Sequence, residues 1–358
     1  MTRDRVVVAM SGGVDSAVAA ARCVAAGYDV VGISLRLARG GEGSCCSLDD
    51  FLDARAVADA LGFPHYVFDF TDAFEARVVA PFVAEYLAGR TPNPCTRCNQ
   101  HVKFDLLWQR ARELGASRLA TGHYARIGRD PSSGAPILRA AHDPAKDQSY
   151  FLFTLGAAEL ARTLFPIGEL TKDEVRAEAR RLGLAVADKA ESMEVCFVPR
   201  GDAAAFVASR ARPDALRAGA IVDEAGTTLG THDGVHRFTV GQRRGLALGG
   251  GPRRYVRDID AETGTVTVTD AAGLRGGGLH AERVSWSGGA APAAGTRVGV
   301  RIRHRHPLVA GRLVRCGESD VEVEFDGGGP LVTPGQAAVF YRDDLVLGGG
   351  WIAGALAA

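Results

Sequence analysis

The sequence predicts an α/β fold with a parallel sheet, followed by a β-rich C-terminal part. Up to about residue 200, short apolar runs alternate with segments of helical periodicity, and a glycine-rich turn follows the first run. After residue 210 glycine becomes frequent and apolar residues alternate with polar ones. Continuous apolar strands separated by helices are typical of a parallel sheet covered on both faces. Such a sheet binds ligands at the carboxyl ends of its strands.

The elements of the first part follow from this periodicity. Strands are predicted at RVVVA, YDVVGISL, HYVFDF and RLATGHY. Helices are predicted over residues 16–26, LDDFLDARAVADALG, KFDLLWQRARELG and TKDEVRAEARRLG. Gly27 and Gly62 close the first two helices, and Thr171 with Glu174 forms a capping box at the start of the last one.

The second part contains the alternating stretches TGTVTVTD, RVGVRIRHRH, DVEVEF and AAVFY. They predict antiparallel strands in one or two small barrels. We therefore expect an α/β domain over residues 1–205, a small central β-rich domain over 206–275 and a C-terminal β-barrel over 276–358.

Composition excludes some classes of protein and leaves others open. The 358 residues are 46% hydrophobic, enough for a packed core in two or three domains. No apolar run approaches the roughly 18 residues of a membrane span, and the first run is too short for a signal peptide. Seven cysteines without secretory features favour a cytoplasmic protein. The net charge of zero gives no hint of a nucleic-acid partner, so RNA binding would need a local basic patch.

Lysine is rare in this chain. Only four of the 42 basic residues are lysines: Lys103, Lys146, Lys172 and Lys189. Either the bias is chance, or lysine is kept where a compact point charge is needed.

The stretch SGGVDS joins the first strand to the first helix. Gly12 and Gly13 let the backbone approach a phosphate, and the N–H groups of the first helical turn point at it. Ser11 and Ser16 add hydroxyl donors, whereas Asp15 is unfavourable there unless it caps the helix or holds Mg²⁺. GxxxxGK is absent, so this is not the kinase-type loop.

The cysteines allow several interpretations. Cys98 precedes a predicted helix whose dipole would lower the pKa of a thiol, and Cys196 lies in ESMEVCF. Each is explained equally well as catalytic or as apolar filler. Cys95 and Cys98 form a CxxC that suits redox, zinc or iron–sulfur chemistry, but no second CxxC completes a zinc site. We interpret the adjacent Cys45 and Cys46 as filler rather than active-site lining.

Eight strings in order resemble the bacterial tRNA-specific 2-thiouridylases, of the PP-loop ATP pyrophosphatase superfamily, over essentially the whole chain. They are AMSGGVDS, TPNPCTRCNQHVKF, ATGHYAR, KDQSYFLF, ESMEVCF, VGQRRGL, TPGQAAVFY and LGGGWI. The resemblance implies a PP-loop catalytic domain, a small central domain and a C-terminal β-barrel. It also implies replacement of the 2-oxygen of the wobble uridine by sulfur in tRNAs for Lys, Glu and Gln.

The resemblance assigns roles to particular residues. It implies Cys98 as nucleophile and Cys196 as persulfide carrier. ATP binding is implied for Ala9, Met10, Ser11, Gly12, Gly13, Val14, Asp15, Ser16, Leu35 and Gly122. Binding of tRNA is implied for Asn93, Pro94, Cys95, His123, Lys146, Asp147, Gln148, Arg303, His304 and Gln336. ATP, Mg²⁺, a persulfide donor and a cysteine desulfurase or sulfur-relay partner complete the expectation.

The implied reaction begins with attack of the uracil 2-oxygen on the ATP α-phosphorus. The persulfide of Cys196 then displaces AMP, and Cys98 attacks Cys196 to leave a disulfide that a reductant must reset. An equivalent route has Cys98 release sulfide first. The base must leave its stack to reach the pocket.

Basic residues for RNA phosphates are available in RIRHRH, QRR and PRRYVR. If RIRHRH is a strand, Arg301, Arg303 and Arg305 share one face. In KDQSYFLF we assign the aromatic residues to the core and the polar head to RNA.

Two departures from the family pattern stand out. Cys95 occupies a position where the family commonly has Asp, and Met193 one where a polar residue is usual. Three rival functions remain: an iron–sulfur-dependent thiolase using Cys95, Cys98 and Cys196, a PP-loop amide-forming ligase, and a non-catalytic RNA-binding module.

Overall fold

The computed structural model describes residues 3–38, 47–130, 133–190, 195–249 and 251–356. Its helices are α1 (Val14–Ala25), α2 (Leu48–Leu61), α3 (Thr71–Phe74), α4 (Ala80–Leu87), α5 (Pro94–Cys98), α6 (Leu107–Glu113), α7 (Ala157–Ala161), α8 (Lys172–Arg181) and α9 (Ala203–Arg210). π-Helical turns over Glu75–Val79 and Asn99–Leu106 connect α3 to α4 and α5 to α6.

Strands of the first part are β1 (Arg5–Ala9), β2 (Asp29–Arg36), β3 (His65–Asp69), β4 (Arg118–Thr121), β5 (Arg126–Arg129), β6 (Pro136–Arg139) and β7 (Thr163–Leu164). The later strands are β8 (Gly219–Val222), β9 (Thr228–His232), β10 (Tyr255–Asp260), β11 (Thr265–Thr269), β12 (Arg275–Trp286), β13 (Arg297–Arg301), β14 (Val309–Cys316), β15 (Asp320–Pro330), β16 (Ala337–Arg342) and β17 (Leu345–Leu356).

The first part is built on a parallel sheet of order β3-β2-β1-β4-β7, as predicted. Strand β1 shows why both faces are covered. Val6 and Val8 pack into one buried cluster with α1, whereas Val7 packs into the other, and all three side chains are fully buried. Alternate residues of a strand point to opposite faces, so an unbroken apolar run fits this position.

The predicted coverage of the sheet on both faces is incomplete at HYVFDF. This segment is β3, at the edge of the sheet. Tyr66 and Val67 are 49% and 43% exposed. An edge strand has a neighbour on one side only, and its apolar residues are partly left in solvent.

The second part forms two sheets. One has the order β10-β11-β8-β9. In the other, β12-β15-β14-β13-β16-β17 closes through the β12–β17 pairing into a six-stranded barrel. The predicted barrel is confirmed, while the boundaries at 205/206 and 275/276 stay predictions.

A hairpin of the first part extends the barrel sheet. Strands β5 and β6 pair antiparallel, and β6 meets β17 through Arg139 and Leu345. Arg126 and Arg139 both donate to Asp344, at 2.7–3.0 Å. Sequence periodicity did not predict this connection between the α/β part and the barrel.

The basic stripe predicted for RIRHRH is also wrong. Strand β13 ends at Arg301, and the following residues turn, with a hydrogen bond from His306 N to Arg303 O at 3.1 Å. Arg305 adopts a positive φ of 65° in this turn. The side chains therefore do not alternate across a strand.

Within the described ranges, no helix has the length and apolar character that crossing a bilayer demands.

Candidate active site

The glycine-rich loop joins β1 to α1 at the carboxyl edge of the parallel sheet. Gly12 has φ +71°, and a Cβ there would lie 2.2 Å from Asp50 O. Gly122, after β4, packs equally tightly, because a Cβ there would lie 2.7 Å from the backbone of Asp15 and Ser16. Glycine is therefore required at both positions by close backbone approach.

The serines of the loop brace its backbone. Ser16 Oγ accepts from Ser11 N at 3.2 Å and donates to Gly13 O at 3.0 Å. The helix starts at Val14 with Gly13 as N-cap, so a ligand that satisfies the first-turn N–H groups fits here. This geometry suits the phosphates that the sequence predicts. The other predicted ATP residues lie alongside: Ala9 is half-buried at the end of β1, and Met10 and Leu35 are buried.

Asp15 does not cap α1, and its carboxylate oxygens are already engaged by other side chains rather than open to a metal ion. Lys172 Nζ donates to its two carboxylate oxygens at 2.8 and 2.9 Å, and Tyr124 OH donates to Oδ1 at 2.7 Å. Lys172 is buried, and it comes from the first turn of α8. A neutralising lysine thus makes an acid tolerable beside phosphate, an explanation that the sequence did not suggest.

A second lysine braces the loop from outside. Lys189 Nζ donates to Gly12 O at 3.1 Å, to Asp50 Oδ1 at 2.7 Å and to Asp53 Oδ2 at 2.5 Å. Asp50 is also the partner of Ser47 in the capping box of α2. One ammonium group therefore joins the loop, α2 and the segment that leads to Cys196.

The lysine–carboxylate ion pairs at the loop determine whether its carboxylates can serve as ligands for Mg²⁺. Among the described residues, Asp15, Asp50 and Asp53 are the carboxylates that border the loop, and each accepts from a lysine. Carboxylates engaged in this way do not fit a protein-held Mg²⁺ site. Across the described ranges, no group of three or more His, Cys, Asp or Glu side chains is placed to hold a metal ion.

The helix carrying Cys98 begins earlier than predicted. Asn93 is the N-cap, its Oδ1 accepting from Thr96 N at 3.2 Å, and α5 starts at Pro94. Cys98 therefore lies beyond the first turn, where the effect of the helix dipole has faded, and Cys95 is the cysteine in that turn. The prediction that Cys98 precedes the helix is wrong. The Asn-Pro pair supplies an N-cap followed by N1 proline, which starts a helix.

Cys98 and Cys196 border the same core. Cys98 is 8% exposed within a cluster that includes Phe74 and Leu107, and Cys196 packs against that cluster. The neighbouring Phe197 ring lies 5.5 Å from the ring of Phe74. Cys95 is exposed. Cys45, Cys46 and Met193 lie outside the described residues.

Several predicted tRNA residues are held by protein contacts. Asp147 is buried and accepts from Ala141 N, from Ser149 and, at 2.7 Å, from Arg301 Nη1. Gln148 Oε1 accepts from Tyr124 N at 2.9 Å, and Lys146 beside it is half-buried. These contacts fix the KDQ segment between the TGHY strand end and the barrel.

The predicted histidines are both desolvated. Burial and Lys103 lower the pKa of His123 well below its usual value, and its Nδ1 lies 2.8 Å from Thr121 Oγ1. Burial, Arg305 and Arg301 lower the pKa of His304, whose ring packs against that of Phe151 with their centroids 4.4 Å apart and their planes tilted by 40°. Both rings are therefore neutral at pH 7.

Barrel residues reach back to the cysteine loop. Gln336 Nε2 donates to Thr91 O at 2.9 Å and to Pro92 O at 3.3 Å. Tyr150 OH donates to Ala337 O at 2.9 Å. Arg303 donates to Val240 O at 2.7 Å and to Thr333. Asn93 and Pro94 are buried beneath these contacts. Residues from five distant segments thus converge where the α/β part meets the barrel.

In the sequence, Lys172 and Lys189 stood out only among four rare lysines, and no role was assigned to Tyr124, Asp50 or Asp53. The rarity of lysine was a usable signal, because two of the four lysines contact residues of the loop. The acids and the tyrosine carried no such signal, since each is an ordinary residue on a helix or at a strand end.

Comparison with known proteins identifies the family. Family models match over residues 4–200 (tRNA methyl transferase HUP domain), 205–270 (tRNA methyl transferase PRC-barrel domain) and 277–352 (aminomethyltransferase beta-barrel domain). A tRNA-specific 2-thiouridylase from Solibacter usitatus is 50% identical, covering 98% of this chain and 100% of that protein. Similar proteins of the same name occur in Geotalea uraniireducens (48% identical; 98% of this chain, 95% of that protein) and Mycolicibacterium gilvum (49%; 95% of each).

The chain belongs to the tRNA-specific 2-thiouridylase family. The resemblance carried by the eight strings is thereby confirmed, as is the PP-loop fold class. The domain descriptions name methyl transfer, whereas the relatives that match this thiouridylase-family chain along its length are named for thiolation.

Proposed function

We propose that the protein is an ATP-dependent tRNA-uridine 2-sulfurtransferase acting on the wobble uridine. The observation that supports this most is the pairing of an anion-binding loop at Gly12–Gly13 with two cysteines, Cys98 and Cys196, that border one core. The full-length relatives named tRNA-specific 2-thiouridylase support the substrate and the reaction class.

In the proposed reaction the loop holds the ATP phosphates. The uracil 2-oxygen attacks the α-phosphorus, the bond to pyrophosphate breaks, and the oxygen becomes part of an AMP leaving group. The N–H groups of the α1 terminus stabilise the charge that develops on the departing pyrophosphate. Lys172 keeps Asp15 neutralised, so that this carboxylate does not repel the phosphates.

Sulfur transfer then uses both thiols. The terminal sulfur of a Cys196 persulfide attacks C2 of the base, and AMP leaves with the original oxygen. Cys98 thiolate attacks Sγ of Cys196, which breaks the S–S bond, leaves sulfur on the base and forms a Cys98–Cys196 disulfide. A dithiol reductant restores both thiols.

We propose tRNAs for Lys, Glu and Gln as substrates, and a cysteine desulfurase or sulfur-relay protein as donor of the persulfide sulfur.

The extruded base is proposed to enter between the cysteine loop and the KDQ segment. Cys95 is exposed at the cysteine loop. The other residues predicted to bind tRNA are proposed to form the walls of this base pocket or to hold those walls in place: Asn93, Pro94, His123, Lys146, Asp147, Gln148, Arg303, His304 and Gln336. His123 and His304 act there as neutral rings rather than as cations.

The test is incubation with unmodified tRNA, ATP, Mg²⁺ and a persulfide source, followed by mass analysis of the nucleosides. We expect 2-thiouridine at the first anticodon position and AMP as co-product. Cys98→Ser and Cys196→Ser should each lower turnover at least about a thousandfold, because each removes a bond-forming sulfur. Cys316→Ser is the matched control and should retain activity, because this cysteine lies on β14 and packs against the barrel core rather than the core of Cys98 and Cys196.

The same assay separates the rivals. Detection of a methylated nucleoside would indicate methyl transfer instead of thiolation. Amide formation that survives Cys196→Ser would favour a ligase. An active enzyme purified without iron would remove the iron–sulfur interpretation. Binding of tRNA without AMP release would reduce the protein to an RNA-binding module.

A further inference from the structure

Two arginines from distant parts of the chain approach one tryptophan beside the candidate active site. The Arg97 Cζ atom lies 5.1 Å, and the Arg283 Cζ atom 5.6 Å, from the centroid of the Trp351 ring. Arg97 precedes Cys98 on α5, whereas Arg283 lies on β12 of the barrel. Trp351, on β17, belongs to the same core cluster as Cys98. The pair therefore spans the junction where the base is proposed to enter.

Among the described residues the positive charge here is only partly compensated, because Arg97, Arg283 and the neighbouring Arg90 interact with two acids, Glu85 and Glu282. Glu85 Oε2 accepts from Arg90 at 2.5 Å, and its Oε1 lies 3.6 Å from Arg97, so one carboxylate serves two arginines. Burial and the charge of Arg283 lower the pKa of Arg97. Arg97 Nε is buried and has no hydrogen-bond partner among the described residues. An anion at this position would satisfy both the charge and the donors.

The backbone at Arg283 is shaped to place its side chain. The register of β12 against β17 shifts between Glu282 and Ser285, which marks a β-bulge. Arg283 has φ +51°, in the left-handed region where glycine and asparagine are favoured. Bulges re-aim side chains, and strained residues cluster at functional sites. Arg283 has a strained backbone, and its side chain approaches a tryptophan beside a second arginine. This arrangement indicates that its guanidinium binds a ligand.

We propose that Arg97, Arg283 and Trp351 form a binding site for a backbone phosphate of the tRNA substrate. The inference rests on the proposed function and adds a site to it. Guanidinium groups offer paired donors that match phosphate oxygens, and stacking on an indole fixes the plane of each fork. Arg283 is exposed, and the Arg97 side chain keeps 13% of its surface exposed, so a phosphate approaches from the Arg283 side. The ATP phosphates are proposed for the α1 loop, so RNA supplies the phosphate here.

The test is Arg283→Asn, which removes the cation but tolerates the positive φ. Binding of unmodified tRNA is measured by fluorescence anisotropy over a series of salt concentrations. We expect Kd to rise on the order of fivefold at low salt, and the slope of log Kd against log salt to fall by about 0.7–0.9, the value for one lost phosphate contact. Binding of ATP, measured by calorimetry, should not change, and the thermal midpoint should be the same or higher because strain is relieved.

Controls keep this site distinct from general electrostatics and from the proposed chemistry. Arg275→Asn changes the same charge at the exposed start of β12 and should leave the salt slope unaltered. Arg283→Lys should restore the slope but only part of the affinity. An unchanged slope in Arg283→Asn overturns the phosphate site, even if wild-type thiolation is intact. A changed ATP affinity also overturns it, because the site would then serve the nucleotide. Absence of thiolation by the wild type instead counts against the proposed function, since the binding assay needs no turnover.

Discussion

At the scale of single residues, the nucleotide loop depends on neutralised acids. Asp15 lies in the first turn of α1 and is compensated by Lys172, which is 157 positions away in sequence. An isolated carboxylate at this place would repel phosphate, and an isolated buried ammonium would be costly. The loop therefore tolerates an acid because a distant helix contributes a cation, and we expect the two residues to behave as a unit.

Removal of the cation should expose this dependence. Lys172→Met should lower the free energy of unfolding by about 1–2 kcal/mol, since Asp15 is partly solvated and the pair is only partly buried. It should also weaken ATP binding, because the carboxylate is left uncompensated. Urea unfolding and calorimetry measure the two effects.

The double variant Asp15→Asn with Lys172→Met is the control for this pair. It should regain most of the lost stability, because no unpaired charge remains. A double variant that is less stable than either single variant, by the sum of their losses, would show that the two side chains act independently.

At the scale of elements, Lys189 joins the loop, α2 and the segment before Cys196. Burial raises the pKa of Asp50, but hydrogen bonds from Lys189 and Ser47 outweigh it, so the pKa is lowered overall. Burial lowers the pKa of Lys189, but Asp50 and Asp53 outweigh it, so this pKa is raised. The Asp50 contribution is present above its unfolded pKa of about 3.9 and is lost as pH falls through the lower folded value. The Lys189 contribution is complete below about pH 10.4 and is lost as pH rises through the higher folded value.

Lys189→Met should therefore reduce stability at neutral pH by ~1 kcal/mol, after allowance for solvent screening of a partly exposed cluster. It should also flatten the decline in stability below about pH 4, because Asp50 no longer gains from ionisation in the folded state. Urea titrations at several pH values measure both effects. Arg180→Met, which breaks the exposed pair with Asp188, should cost little at neutral pH. If the free energy of unfolding falls below about pH 4 as steeply in Lys189→Met as in the wild type, Lys189 does not lower the pKa of Asp50.

At the scale of the whole molecule, the catalytic part and the barrel share a sheet. Hairpin β5–β6 extends the barrel through β17, and Asp344 accepts from both Arg126 and Arg139. Tyr150 and Gln336 add hydrogen bonds across the same junction. The proposed substrate pocket therefore needs both parts in a fixed relation.

Asp344→Asn should weaken this junction by about 1–2 kcal/mol, because two guanidinium groups lose their shared carboxylate. We expect a lower thermal midpoint and a broader transition in scanning calorimetry, as the barrel begins to unfold separately. Asp343→Asn is the matched control, because Asp343 is the exposed neighbour and asparagine tolerates its φ of 54°. Equal midpoints for the two variants would assign no coupling role to Asp344.

Much of the fold and part of the candidate site could be predicted from local patterns. The periodicity of RVVVA and the glycines after it identified a buried strand, a tight turn and a helix, because each depends on neighbouring residues. The Asn93–Pro94 helix start carries a local signal of the same kind, an N-cap followed by proline, but the prediction from the sequence places Cys98 before the helix. The turn after Arg301 was missed because alternation of charge continues past the last ladder hydrogen bond.

The sequence by itself determined the strands β1–β4 and the main helices between them, the glycine loop, the two candidate thiols and the family. Tertiary structure alone decided which lysine neutralises Asp15, which strands close the barrel, and that Arg97 and Arg283 share one tryptophan. The physical reason is the distance along the chain over which each kind of interaction acts. Periodicity and turn chemistry act between residues a few positions apart, whereas charge compensation and sheet closure depend on which distant surfaces pack together.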